Sequence, residues 1–185
     1  MKFGTFKNEQ GIFIGIVNEG ENRVLPLLEA AGRMGGEFSF PNSMLEAIAL
    51  GDSFYEDASK VGEWVNENNL VEELYKPIES VTLLAPIPKP AKNVFCVGKN
   101  YAEHAIEMGS KDDIPEHIMV FTKAPTSVIG HGETINEHKE VTAQLDYEGE
   151  LAVIIGKQGK AINLEEALEY VFGYTIINDV TARDL

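Results

Sequence analysis

The hydrophobic pattern of the chain switches from short apolar runs to helical spacing and back again. Residues 11 to 17, Gly-Ile-Phe-Ile-Gly-Ile-Val, are rich in β-branched and aromatic side chains and predict a buried strand, with a turn at Gly11 and a close approach at Gly15. From Asn42 the spacing changes. Met44 and Ile48 lie four apart on one helix face, Asn42 or Ser43 can cap that helix, and Gly51 stops it. A second helix follows, with Ser53 as its expected cap. Its stripe of Phe54, Ala58, Val61 and Val65, with Trp64 beside it, reads as core.

Three prolines in Ala85-Pro-Ile-Pro-Lys-Pro-Ala91 fix φ and predict an extended connector. The expected organisation is therefore a small N-terminal domain over 1–84, a Pro-rich linker over 85–92 and a second domain over 93–185. That second domain carries strand-like runs at 93 to 97, 118 to 122, 147 to 155 and 174 to 178. One helix is expected at about 163 to 171, where Asn163 and Glu166 have capping-box spacing.

Composition narrows the partners. The 185 residues carry a formal net charge of -15, which repels phosphate backbones and anionic lipid, so neither nucleic acid nor membrane is expected as a partner. A small acid is not excluded, because a bound divalent cation can be the largest local charge in a site. Met1 to Lys7 shows no apolar export signal, and the cytoplasm is the expected compartment. The single cysteine, Cys96, lies in an apolar run and reads as a buried, inert thiol. No dinucleotide fingerprint or Walker pattern is present.

The most informative segment is Leu145-Asp-Tyr-Glu-Gly-Glu-Leu-Ala-Val-Ile-Ile155. On a strand, Asp146, Glu148 and Glu150 project to one side and Tyr147, Leu151, Val153 and Ile155 to the other, so the apolar side is expected to meet a core. Carboxylates about 7 Å apart along a strand repel one another unless something neutralises them. A solvated edge accounts for such a row. A hard divalent cation such as Mg²⁺ or Mn²⁺, which prefers oxygen ligands, accounts for it too. Asp179 closes the apolar strand Tyr174 to Asn178 and can supply a third ligand if the two strands are neighbours.

Val97-Gly-Lys-Asn-Tyr-Ala-Glu-His-Ala-Ile-Glu-Met-Gly109 reads as a turn opening a short helix, which puts His104 and Glu107 on one face. Such a pair can act as a general base, or can be an ordinary surface pair. His117, His131 and His138 show no zinc spacing and receive no role.

Three segments, Cys96-Val-Gly-Lys-Asn-Tyr-Ala-Glu-His104, Asp146-Tyr-Glu-Gly-Glu-Leu-Ala-Val153 and Gly173-Tyr-Thr-Ile-Ile-Asn-Asp-Val-Thr-Ala-Arg-Asp184, occur in the order of the signatures of the fumarylacetoacetate hydrolase (FAH) family. The chain resembles that family over residues 83 to 185, and within it the members described as oxaloacetate decarboxylases. The resemblance implies an α+β fold, a mixed β-sandwich roll preceded by a small α/β N-terminal domain, usually as a homodimer. It also implies one Mg²⁺ or Mn²⁺ ion on Glu148, Glu150 and Asp179, a dyad of His104 and Glu107, and substrate-binding basic residues at Lys99 and Lys123. The substrates implied are small 2-oxo acids. Decarboxylation of oxaloacetate through a cation-stabilised enolate is the first expectation, and hydrolysis of an acylpyruvate-type C–C bond the alternative. Family members continue past the third signature to a catalytic lysine. The expectation for a chain that stops at Leu185 is truncation, with a non-catalytic metal-binding or regulatory module as the alternative reading.

Overall fold

The computed structural model describes residues 1–36, 38–101 and 115–185. It divides into two compact units, Met1–Ile87 with Gly130–Leu185, and Pro88–Ile129.

The first unit begins with strands β1 (Phe3–Asn8), β2 (Gly11–Asn18) and β3 (Arg23–Pro26), then helices α1 (Leu27–Arg33), α2 (Met44–Leu50), α3 (Asp52–Glu67) and α4 (Val71–Leu74), then strands β4 (Lys76–Pro77) and β5 (Thr82–Leu83). The sheet order is β4-β3-β2-β1-β5, with every neighbour antiparallel. The expected α/β label is therefore corrected to α+β for this segment. Only residues 9–10 and 19–22 connect the first three strands, far fewer than the dozen or so that a parallel crossover needs. At the first of these turns the Asn8 side-chain oxygen accepts the N–H groups of Gln10 (2.9 Å) and Gly11 (3.1 Å), and Gly11 takes a φ of 132°.

Gly15 is the close approach that its position in β2 suggested. A Cβ there would lie 2.3 Å from Val24 Cγ2 and 3.0 Å from the Leu25 carbonyl oxygen. Gly15→Ala is expected to cost about 1–3 kcal/mol, read as a lower urea midpoint at unchanged m-value.

The core between sheet and helices holds Ile14, Ile16, Leu25, Leu27, Met44, Ile48 and the α3 stripe Phe54, Ala58, Val61 and Val65. The α3 cap differs from expectation. Gly51, at a φ of 59°, both ends α2 and caps α3, so Ser53 falls inside the first turn and its hydroxyl donates to the Leu50 carbonyl.

The second unit contains β6 (Val94–Gly98) antiparallel to β7 (Met119–Lys123), paired from Val94↔Lys123 to Gly98↔Met119.

Back in the first unit, β8 (Leu145–Asp146) pairs with β11 (Thr181–Ala182), and β9 (Gly149–Ile155) pairs with β10 (Val171–Asn178), both antiparallel. The single strand expected at 147 to 155 is thus interrupted at Tyr147 and Glu148. The interruption is bridged from the Asp179 N–H to the Glu148 carbonyl at 2.8 Å and from the Glu148 N–H to Asn178 Oδ1 at 3.1 Å. The helix expected at 163 to 171 is a 3₁₀ helix, Leu164–Tyr170. Leu164 and Leu168 are both exposed there, so no packed apolar face supports an α-helix of that length. No helix among the described residues is long and apolar enough to cross a membrane.

Candidate functional site

The register of β9 against β10 decides what the carboxylates share. Glu150 sits opposite Ile177 and Gly149 opposite Asn178, and the Asp179–Glu148 backbone bond continues that register by one more pair. Opposite residues of an antiparallel pair project to the same side. Glu148, Glu150 and Asp179 therefore share one face, and Asp179 is 7% exposed.

Farther along β9 the same face carries Ala152 and Ile154. Ile154 packs on the core of the first unit, as does Phe172, whose ring centroid lies 6.3 Å from that of Phe54. This reverses the expected orientation. Leu151, Val153 and Ile155 were expected to face a core, but they are 58%, 47% and 61% exposed, and it is the carboxylate face that turns inward. Alternation says which residues share a face; apolar residues stand on both faces of β9, so it could not say which face is covered. With Tyr174 and Ile176 across the pair, the outward face is an exposed apolar patch. Leu151→Lys with Ile176→Lys is expected to lower the fluorescence of a bound hydrophobic dye while shifting the urea midpoint by less than about 0.5 kcal/mol in stability.

Arg183 received no role from the sequence. Its Nε and Nη2 donate to Asp146 Oδ2 at 3.1 and 3.0 Å, and Nη2 also donates to Glu148 Oε1 at 2.5 Å. Thr181, opposite Asp146 in the β8–β11 pair, donates its hydroxyl to Glu148 Oε2 at 3.4 Å. The bond to Asp146, then that to Glu148, raises the Arg183 guanidinium above even its usual range. The signal for these partners was legible: Asp179, Thr181 and Arg183 recur at the strand period of two. Beside them Asp184 accepts from the Thr142 hydroxyl and from the Ala143 N–H, which together hold its carboxyl below the usual range.

The shared face is not a closed coordination shell. Among the described residues no three His, Cys, Asp or Glu side chains are gathered closely enough to hold a metal ion. The donor chemistry nevertheless fits a hard divalent cation: three carboxylates on adjacent strands, one of them nine-tenths buried. The two lysines lie in the second unit. Lys99 follows Gly98 at the end of β6, in the left-handed region at a φ of 51°. Lys123 ends β7 beside Val94, with its Nζ 5.9 Å from the Phe121 ring centroid. They occupy opposite ends of the ribbon, roughly 13 Å or more apart along the strands at about 3.3 Å per residue. His104 and Glu107 lie outside the described residues. Cys96, expected to be fully buried, is half-buried, and its thiol donates to the Val94 carbonyl oxygen at 4.0 Å.

Residues 93–185 match the family described as fumarylacetoacetate (FAA) hydrolase C-terminal. The chain belongs to the fumarylacetoacetate hydrolase family. The oxaloacetate tautomerase YisK of Bacillus subtilis (strain 168) is 50% identical over 186 residues, which cover 100% of this chain and 62% of that protein. The solved structure of fumarylacetoacetate hydrolase from psychrophilic Exiguobacterium antarcticum is 37% identical with a TM-score of 0.71, over 100% of this chain and 57% of its own. Maleylpyruvate hydrolase from Sphingobium sp. SYK-6, solved in complex with manganese (II) ion and pyruvate, shares the fold at 21% identity and a TM-score of 0.64, over 100% of this chain and 60% of its own. The family member described here thus spans about three fifths of these relatives.

Proposed function

We propose that this chain carries the metal-binding face of an enzyme acting on oxaloacetate, or on a 2-oxo acid of the same design, by exchanging a proton between C3 and the C2 oxygen. The observation that carries this reading is the β9–β10 register, which sets Glu148, Glu150 and Asp179 on one face. Half-identity to an oxaloacetate tautomerase along the whole chain supports the substrate and favours tautomerisation over the decarboxylation expected from the sequence.

A C3 proton of oxaloacetate lies between a ketone and a carboxylate, so its removal leaves an enolate with its charge on the C2 oxygen. Protonation on that oxygen gives the enol, and the reverse path gives back the ketone. Glu148, Glu150 and Asp179 would hold a Mg²⁺ or Mn²⁺ ion, which supplies Lewis-acid stabilisation of that charge. In this reading His104, oriented by Glu107, moves the C3 proton, and Lys99 and Lys123 are the basic residues to substitute in testing recognition of the substrate carboxylates. A homodimer belongs to the reading, and sedimentation velocity tests it.

The test follows oxaloacetate in two channels at once, the ultraviolet absorbance of the enol and the release of pyruvate, with Mg²⁺ or Mn²⁺ added. Faster keto–enol exchange without pyruvate is the expected result. Pyruvate release would return the reading to decarboxylation. Unchanged rates in both channels, with C–C cleavage of an acylpyruvate instead, would make the protein a hydrolase.

A further inference from the structure

Asp146, Glu148 and Glu150 follow one another at the strand period of two, yet the proposed ligand set uses only the last two of them. Asp146 is left over, and its surroundings differ from those of a ligand. It sits on β8, beyond the interruption at Tyr147 and Glu148, and faces Thr181 of β11. One of its oxygens, Oδ2, accepts two N–H bonds from Arg183, at 3.1 and 3.0 Å. The same guanidinium reaches Glu148 Oε1 through Nη2. Side-chain exposure follows this order: Asp146 is 45% exposed, Arg183 22% and Glu148 20%.

We propose that Asp146 is a positioning residue that fixes the carboxylate of Glu148 through Arg183. The planar fork of a guanidinium cannot turn freely once two of its N–H groups are held, so a doubly anchored Arg183 presents the second N–H of Nη2 in one direction. Glu148 Oε1 accepts that N–H while Oε2 meets Thr181, and the side chain is held in one orientation before any cation arrives. The charges also balance. Asp146 offsets the positive charge of Arg183, which would otherwise be balanced by Glu148 alone, a proposed ligand of the cation. Neutralising Asp146 therefore weakens cation binding in two ways, by loosening Glu148 and by unmasking Arg183.

This inference rests on the metal reading above, and the experiment separates the two. Mn²⁺ alone is titrated calorimetrically into the protein and into Asp146→Asn, Arg183→Met, their double variant and Glu148→Gln, with thermal unfolding recorded for each. Loss of Mn²⁺ binding in Glu148→Gln establishes the site. Asp146→Asn is then expected to weaken Mn²⁺ binding about 10–100-fold, the range for groups that orient metal ligands. In the Arg183→Met background the same change is expected to cost about threefold or less, because the coupling runs through the missing guanidinium. An Asp146→Asn protein that binds as the parent does, or that loses equal affinity in both backgrounds, overturns the positioning role and leaves the metal site standing. Glu148→Gln binding Mn²⁺ like the parent overturns both. Should Arg183→Met fail to fold, Arg183→Lys replaces it in the cycle, since one ammonium cannot reproduce the fork.

Discussion

Asp179→Asn is expected to lower Mn²⁺ affinity by more than about a hundredfold, beyond the range for groups that only orient ligands. The substitution keeps the shape of a side chain that is nine-tenths buried and removes its charge. A neutral amide is a poor ligand for a hard cation compared with a carboxylate. Asp179 also lies directly across from Glu148, with its N–H bonded to the Glu148 carbonyl at 2.8 Å, a backbone bond that the substitution keeps. Without metal, the side-chain shape and that backbone bond are kept, and the apparent melting temperature is expected to change far less than the Mn²⁺-induced shift. With saturating Mn²⁺ the parent gains stability by mass action and the variant does not. Thermal unfolding with and without Mn²⁺ reads both halves. A variant that keeps the Mn²⁺-induced shift would remove Asp179 from the ligand set.

Phe54→Ala carries the largest expected cost in stability, about 3–5 kcal/mol, the range for deleting a buried aromatic ring. Phe54 is 1% exposed, and its ring meets Phe3 at 4.9 Å, Phe40 at 5.9 Å and Phe172 at 6.3 Å between centroids. The first of these lies on β1, the second between α1 and α2, and the third on β10. A cavity there withdraws support from three segments at once, including the strand that leads to Asp179. Urea unfolding measures the loss. If Phe54→Ala costs less than about 1.5 kcal/mol, the site collapses around the gap and the cluster is not the joint described above.

Local periodicity made much of this molecule legible. The buried strand at 11 to 17 is β2, the stripe from Phe54 to Val65 lies on α3, and Gly51 ends α2. These features depend on residues a few positions apart, and backbone geometry alone dictates which of them share a face. The same alternation put Glu148 and Glu150 on one side, in agreement with the β9–β10 register and its continuation to Asp179. The family, too, was readable from three short segments in their order.

Long-range pairing decided the rest. Alternation left open which face of β9 turns inward, because Ile154 on one side and Leu151, Val153 and Ile155 on the other are all apolar. Only the packing of Ile154 and Phe172 on the N-terminal core settles it. That Asp179 stands opposite Glu148 follows from the register of strands separated by a long connection, and the sequence could state it only as a condition. Arg183 became visible as the link between Asp146 and Glu148 once β8 had met β11. Sequence spacing likewise could not show that the β6–β7 ribbon holds Lys99 and Lys123 at opposite ends. Sequence by itself determined the elements and the chemistry available on each strand. Tertiary structure decided which of those groups meet, because hydrogen-bonded register and burial are set between segments that lie far apart in the chain.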